Sequence, residues 1–275
     1  MHDFISLNGN ILRASEAYIP AVSSAALYGK GVFTTVAVHR TKPFLVESHW
    51  QRLTANARQI GINVDELQRS NFESDLSFLI KTNKIKEGLV RATIFDESQG
   101  PLWGSPKCER KQILLQSADF RVIPESMKVT FSNFRMDSAS PLSNVKSCNY
   151  LDKLLAIQNA RESGFDEAIR LNQNGNIVSA CMANVFWVKD SRIFTPDISA
   201  GCLAGTTRGF VLKIAAQIGF DISFVKEKPD SLLNADEVFL TSAGIGITSV
   251  GTLDGRSLES NFTEKFKTRF ITAQT

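Results

Sequence analysis

Histidine is scarce in this chain. There are three in 275 residues, at positions 2, 39 and 49. The four cysteines, Cys108, Cys148, Cys181 and Cys202, form no C-x-x-C pair and have no histidine beside them at a ligand spacing. A metal site is therefore not expected, and without a secretion signal neither are disulfides. An excess of charge is also missing. The net charge is +3, with Lys and Arg mixed among acids. No basic block or aromatic-basic stripe stands out, so nucleic acid is not an expected partner. No apolar run reaches the length of a membrane span. Residues Met1 to Asn10, with His2, Asp3 and an Asn-Gly turn, do not read as a signal peptide. A cytoplasmic location is expected.

What is present is ordinary for a globular protein: 43% apolar and 21% charged residues. The length suits two small domains. Asn-Gly or Asp-Gly pairs at Asn8, Asn174 and Asp254, flanked by apolar or β-branched residues, predict hairpins. Strands are expected at Val32–Val38, Leu89–Phe95, Gln112–Gln116, Lys128–Phe134, Val185–Val188, Ile193–Thr195 and Val238–Thr241. Helices are expected from Ser48, as a cap, to Gly61, over Leu67–Lys86, over Tyr150–Glu162 with Leu151, Leu154, Leu155 and Ile157, and over Thr207–Ile218. Asp96–Lys111, with two glycines and two prolines, reads as a mobile loop. Mixed strands and helices with many hairpins argue for an α+β fold. The expected domains are residues 1–117 and 125–275, joined by a linker at 118–124, with Lys146 in the second.

Four places could do chemistry. Gly205-Thr206-Thr207 opens a helix, where free backbone N–H groups and the helix dipole favour an anion. A plain glycine turn with Thr207 as N-cap fits the same residues. Ser242-Ala243 follows a strand in a small, glycine-rich run that lets backbone approach a ligand. It also fits a tight connection at a sheet end. Arg52 could grip a phosphate through two donors, or be a solvated helix charge. Lys146 follows a small-residue stretch and precedes a helix. A lysine among apolar neighbours loses proton affinity and attacks carbonyls.

Read together, these segments resemble the class IV aminotransferases. Tyr28-Gly29-Lys30-Gly31-Val32-Phe33-Thr34-Thr35 with His49-Trp50-Gln51-Arg52-Leu53 is similar to the family's N-terminal signature. Val145-Lys146-Ser147-Cys148-Asn149-Tyr150-Leu151 looks like its Schiff-base segment. Asn184-Val185-Phe186-Trp187, Gly205-Thr206-Thr207-Arg208 and Asp236-Glu237-Val238-Phe239 follow in the family's order. The resemblance covers about half the chain and implies a homodimer of two-domain subunits, with pyridoxal phosphate between the domains. It implies that Lys146 forms the Schiff base and moves protons, and that Arg52, Gly205, Thr206 and Thr207 hold the phosphate. Ser242 and Ala243 would approach from the other side, and Tyr150 would sit near the phenolic oxygen. Tyr28, Phe33 and Arg91 are candidate substrate contacts. Arg91 could pair with a carboxylate, or be a surface strand arginine.

One position departs from the family pattern. Members usually carry a glutamate five residues before the Asn of Asn-x-Phe, where it keeps the pyridine nitrogen protonated. Counting back from Asn184 gives Ser179. A hydroxyl supplies no negative charge there. Transamination should suffer most from the loss, and an elimination driven by aromatisation least. The run Phe33-Thr34-Thr35-Val36-Ala37 also lacks the Glu and Arg usual in branched-chain enzymes. It looks more like 4-amino-4-deoxychorismate lyase, in which a threonine at the place of Thr35 faces the substrate. Thr34 and Thr35 also fit as ordinary β-branched strand residues. The first expectation is a lyase releasing pyruvate to give 4-aminobenzoate. The alternatives are an amino acid:2-oxo acid aminotransferase of the D-amino-acid or branched-chain type, and a catalytically impaired cofactor-binding homologue.

Overall fold

A computed structural model describes residues 1–98 and 110–274. The chain separates into two compact units. Residues 1–121 and 145–149 form the first, and residues 122–144 and 150–275 the second.

The first unit contains β1 (Phe4–Leu7), β2 (Asn10–Arg13), α1 (Ser24–Tyr28), β3 (Gly31–His39), β4 (Lys42–Pro43), α2 (Val46–Gln59), α3 (Arg69–Thr82), β5 (Glu87–Asp96) and β6 (Lys111–Ala118). Its antiparallel sheet has the order β2-β1-β6-β5-β3-β4. The first hairpin turns at Asn8 and Gly9, both at positive φ (51° and 81°), as a turn matched to strand twist requires. β3 is rich in β-branched residues, which suit a pleated surface. Val32, Val36, Val38, Val90, Ala92 and Ile94 pack with Leu53 and Ala57 of α2 and with Phe72, Leu76 and Leu79 of α3. Each of the valine, leucine, isoleucine and phenylalanine side chains contributes roughly 1.5–3 kcal/mol by leaving water.

Helix α2 starts two residues before Ser48. Its N-cap is Leu45 at φ 55°, and the His49 N–H closes onto the Leu45 carbonyl. Ser48 thus lies inside the first turn and caps nothing. Helix α3 is shorter than the expected 67–86 span because Asn83 ends it and Lys84 turns left-handed at φ 54°. The expected loop at 96–111 falls largely outside the described residues.

The second unit contains β7 (Ser126–Phe131), α4 (Leu151–Glu162), β8 (Glu167–Leu171), β9 (Ile177–Ala180), β10 (Asn184–Lys189), β11 (Arg192–Pro196), α5 (Thr206–Gln217), β12 (Ile222–Val225), α6 (Pro229–Leu233), β13 (Glu237–Ser242), β14 (Gly246–Leu253), β15 (Arg256–Ser257) and α7 (Asn261–Ala273). The sheet order is β12-β11-β10-β13-β14-β7-β8-β9, with β15 on β14. Pairs β11–β12, β14–β7 and β7–β8 are parallel. Ile169, Leu171, Ile177 and Ala180 join the main core with Val185, Val238 and Val250. Ala168 and Cys181 pack instead with Ala156, Ile157 and Ala160 of α4. The two faces of β8–β9 are therefore distinct. In α4 the buried stripe is Ala156, Ile157 and Ala160, while Leu151, Leu154 and Leu155 are exposed.

Lys146 differs from its expected domain. Residues 145–149 cluster with the first unit. Ser147 bridges Val32, the Phe33 N–H donates to the Lys146 carbonyl at 2.9 Å, and the Cys148 N–H donates to the Gly31 carbonyl at 2.8 Å. Val145 is part of that unit's core. Extended backbone laid along β3, not sequence position, decides where the lysine belongs. The break between the units falls after Arg121, and Ala118 still pairs within the first sheet.

Candidate functional site

In the first unit the candidate residues surround the start of β3, where side chains alternate between faces. Thr34 is 0% exposed and His49 2% exposed. The Thr34 hydroxyl lies 2.7 Å from His49 Nδ1, and Arg52 Nη2 donates to the same oxygen at 2.7 Å. His49 and Arg52 are three residues apart on α2, so they share one face. Burial holds His49 well below the usual histidine range, and the charges of Arg52 and Lys146 push it further down. The ring is therefore neutral. The Thr34 hydroxyl, one donor with two acceptor lone pairs, can serve both groups at once.

Phe33, Thr35 and Arg91 occupy the other face of the strand pair, where Thr35 sits directly opposite Arg91. The Arg91 guanidinium carbon is 3.6 Å from the Phe33 ring centre, and Lys146 Nζ is 4.5 Å from it. The backbone of Lys146 is fixed on both sides, since its N–H donates to Asn56 Oδ1 at 2.9 Å and its carbonyl accepts from Phe33. Burial raises the Cys148 thiol, an effect opposed by Arg91. Tyr28 ends α1, and Gly29 follows at φ 62°. Asn149 Nδ2 ties that glycine's carbonyl at 3.1 Å.

In the second unit, Gly205 is the N-cap of α5 and no side chain caps the helix. Thr206 rather than Thr207 is the first helical residue, which removes the N-cap role expected of Thr207. A Cβ on Gly205 would collide with Asn184 Oδ1. Asn184 Nδ2 donates to the Leu203 carbonyl at 2.8 Å, so one amide holds the turn that feeds the helix. Asn184 also pairs across the sheet with Thr241, next to Ser242. Ser242 pairs with Gly246 and closes the Ala243-Gly244-Ile245 turn. The helix start and this turn thus lie at the ends of neighbouring strands. Arg208 Nη2 donates to the Pro196 carbonyl at 3.1 Å, and its guanidinium lies over Phe224.

Tyr150 precedes α4, with Lys153 Nζ 4.6 Å from its ring centre. Ser179 lies on β9 directly across from Arg170 of β8. Glu167 is buried, and its carboxylate accepts from the backbone of Ala168, Cys181 and Met182. Among the described residues no cluster of three or more His, Cys, Asp or Glu could hold a metal. No described helix is long and apolar enough to cross a membrane.

The structure therefore brings Lys146, Phe33, Thr35 and Arg91 together, with Arg52 on the opposite face of β3. It separately groups Gly205, Thr206, Thr207, Ser242 and Ala243. Asn56 and Arg170 lie outside the sequence motifs, and Thr34, His49 and Asn184 stand in those motifs without a site role assigned to them. The 49/52 spacing on one helix face and an arginine inside the apolar run Glu167–Leu171 were the available signals.

The sequence model of the amino-transferase class IV family matches residues 31–253. The chain belongs to the class IV aminotransferases. This is a family of pyridoxal-phosphate-dependent enzymes. The branched-chain-amino-acid aminotransferase of Escherichia coli is 26% identical, over 92% of this chain and 85% of its own length. The aminodeoxychorismate lyase of Bacillus subtilis is 28% identical, over 88% of this chain and 84% of its own. The solved branched-chain amino acid aminotransferase of Escherichia coli superposes with a TM-score of 0.93 at 25% identity, covering all of this chain and 95% of that one. The α+β fold expected from sequence is that of these class IV enzymes. Lyases and transaminases both stand among the relatives at similar identity.

The residues present fit the family's cofactor. An aldehyde needs an amine, and Lys146 has its backbone fixed. A phosphate needs fixed donors, and an uncapped helix start with two threonines supplies them. Arg52 is oriented by Thr34.

Proposed function

We propose that this class IV enzyme is a lyase that converts 4-amino-4-deoxychorismate to 4-aminobenzoate and pyruvate. The carrying observation is that Ser179 faces a buried arginine, Arg170, across the strand pair instead of presenting a carboxylate. The bound cofactor supplies an electron sink for the substrate carbon that bears the amine. Without an acid at its ring nitrogen that sink is weakened, and a reaction that gains aromaticity in its product tolerates the weakening best.

In this reading Lys146 holds the cofactor covalently between turnovers. It then takes the proton from the amine-bearing ring carbon. The bond from the ring to the enolpyruvyl oxygen breaks, and the departing three-carbon unit takes up a proton and leaves as pyruvate. Arg52, Gly205, Thr206 and Thr207 bind the phosphate, with Ser242 and Ala243 approaching it by backbone. Tyr150 serves the phenolic oxygen. Thr35 lies on the Phe33 and Arg91 face of β3, which supports a role beside the substrate. Arg91, stacked on Phe33, is placed to meet a substrate carboxylate, and Tyr28 is a further substrate contact. The working unit in this reading is a cytoplasmic homodimer, which sedimentation of the purified protein tests.

The second reading is amino-group transfer to a 2-oxo acid, favoured by the branched-chain relatives. A paired assay decides. The lyase reading expects 4-aminobenzoate and pyruvate in equal amounts. Transfer from L- or D-amino acids to 2-oxoglutarate or pyruvate, without 4-aminobenzoate, would reject it.

A further inference from the structure

Arg170 sits in a strand built for burial. Its neighbours on β8 include Ala168, Ile169 and Leu171, and it is 1% exposed. Ile169 and Ala180, the adjacent cross-strand pair, face the main core. Alternation therefore turns Arg170 and Ser179 to the α4 side of the sheet. There Arg170 Nη2 meets Asp152 Oδ2 at 2.8 Å, yet the Asp152 side chain is 53% exposed and in contact with water. Arg170 Nε is buried with no hydrogen-bond partner among the described residues. Buried donors are rarely left this way in a native protein. A cation with one donor unmet thus stands beside a serine hydroxyl.

The other ionisable groups near it do not change this sign. Asp152 of α4 pairs with Arg170 itself. Glu167 is engaged by the amides of Ala168, Cys181 and Met182. Burial lifts the Cys181 thiol to about 12, with Glu167 adding to the rise, so it stays neutral. Burial lowers Lys153, Asp152 opposes the fall, and Arg170 adds to it.

We propose that Arg170, together with Ser179, contacts the pyridine nitrogen of the bound cofactor and keeps that nitrogen unprotonated. A guanidinium has donors and no acceptor. It can pair with a pyridine nitrogen only when that atom offers its lone pair. A second positive charge beside a buried cation is disfavoured as well. Arg170 is a positioning and tuning residue in this account. The proposal rests on the reading that Lys146 carries the cofactor and that Ser179 occupies the ring-nitrogen position.

The test loads the full protein with pyridoxal phosphate labelled with nitrogen-15 in the ring and records the ring nitrogen resonance from pH 6 to 8.5. The wild type is expected to give the unprotonated pyridine position across that range. Arg170→Met should move the resonance toward the pyridinium position, and Arg170→Met combined with Ser179→Glu should bring it there fully. Arg170→Gln is the second variant if Arg170→Met does not fold, and the wild-type spectrum alone can refute the idea. A pyridinium signal in the wild type overturns the proposal. So does a resonance that ignores every Arg170 substitution. If borohydride reduction of the same loaded sample labels no lysine, or one other than Lys146, the underlying cofactor reading fails, and with it the proposal.

Discussion

Replacing Thr34 by valine removes one oxygen and little else. The two side chains have nearly the same shape, so no cavity opens. Yet that oxygen is shared at 2.7 Å by His49 Nδ1 and by Arg52 Nη2. A hydrogen bond to a charged group contributes about 1.5–3 kcal/mol, and a neutral one about 1 kcal/mol. Arg52 is only half-buried, and water can replace part of its bond. A loss of about 2 kcal/mol is therefore expected. With a slope of roughly 2 kcal/mol per molar urea, the unfolding midpoint of the cofactor-free protein falls by about 1 M. Trp50 packs on Phe72 beside this site and reports the transition by fluorescence. Arg52 also loses its fixed direction, and affinity for the cofactor should fall roughly tenfold, equivalent to about 1.4 kcal/mol. Thr34→Ser keeps the hydroxyl and should recover most of both effects. An unchanged midpoint together with unchanged affinity in Thr34→Val would refute the claim that this hydroxyl organises Arg52.

The remaining predictions concern the same two clusters. His49 is depressed by burial and by its cationic neighbours, so the unfolded chain takes up its proton at a higher pH than the folded one. The unfolded state then binds more protons below about pH 6.5, and stability should decline as pH falls through that value. His49→Gln should flatten this part of the urea-midpoint profile, and identical acid slopes in the two proteins would contradict it. Gly205→Ala drives a methyl into Asn184 Oδ1. It should cost about 1–3 kcal/mol, lower Tm by several degrees, and weaken cofactor binding. Gly209→Ala, one turn later with nothing within 4 Å of the new methyl, should leave both properties intact or improve stability.

Local chemistry made much of the fold legible. The hairpin at Asn8-Gly9 and the stretch before Arg256 announce themselves because both turn residues adopt positive φ, which Asn, Asp and Gly tolerate. The start of α2 is hidden in the sequence because its N-cap is Leu45, a left-handed residue with no capping oxygen. Helix α7 carries a signal of its own in Phe262, Phe266 and Phe270, which mark one face at four-residue spacing. The proposed cofactor residues were legible because Lys146, Arg52 and the Gly-Thr-Thr turn lie in short motifs. The supporting groups were not. Thr34 and Asn56 are 112 and 90 residues from Lys146, and only folding brings Asn56 to its backbone. Arg170 and Ser179 are joined by strand register, which a single sequence does not display. Placement of residues 145–149 with the first unit likewise depends on pairing with β3.

The most direct test is chemical. The purified protein is loaded with pyridoxal phosphate, reduced with borohydride, digested and mapped by mass spectrometry. The account predicts one labelled site, Lys146, and loss of the label in Lys146→Ala. A label on Lys153, which lies over the Tyr150 ring, or no label at all, would contradict it.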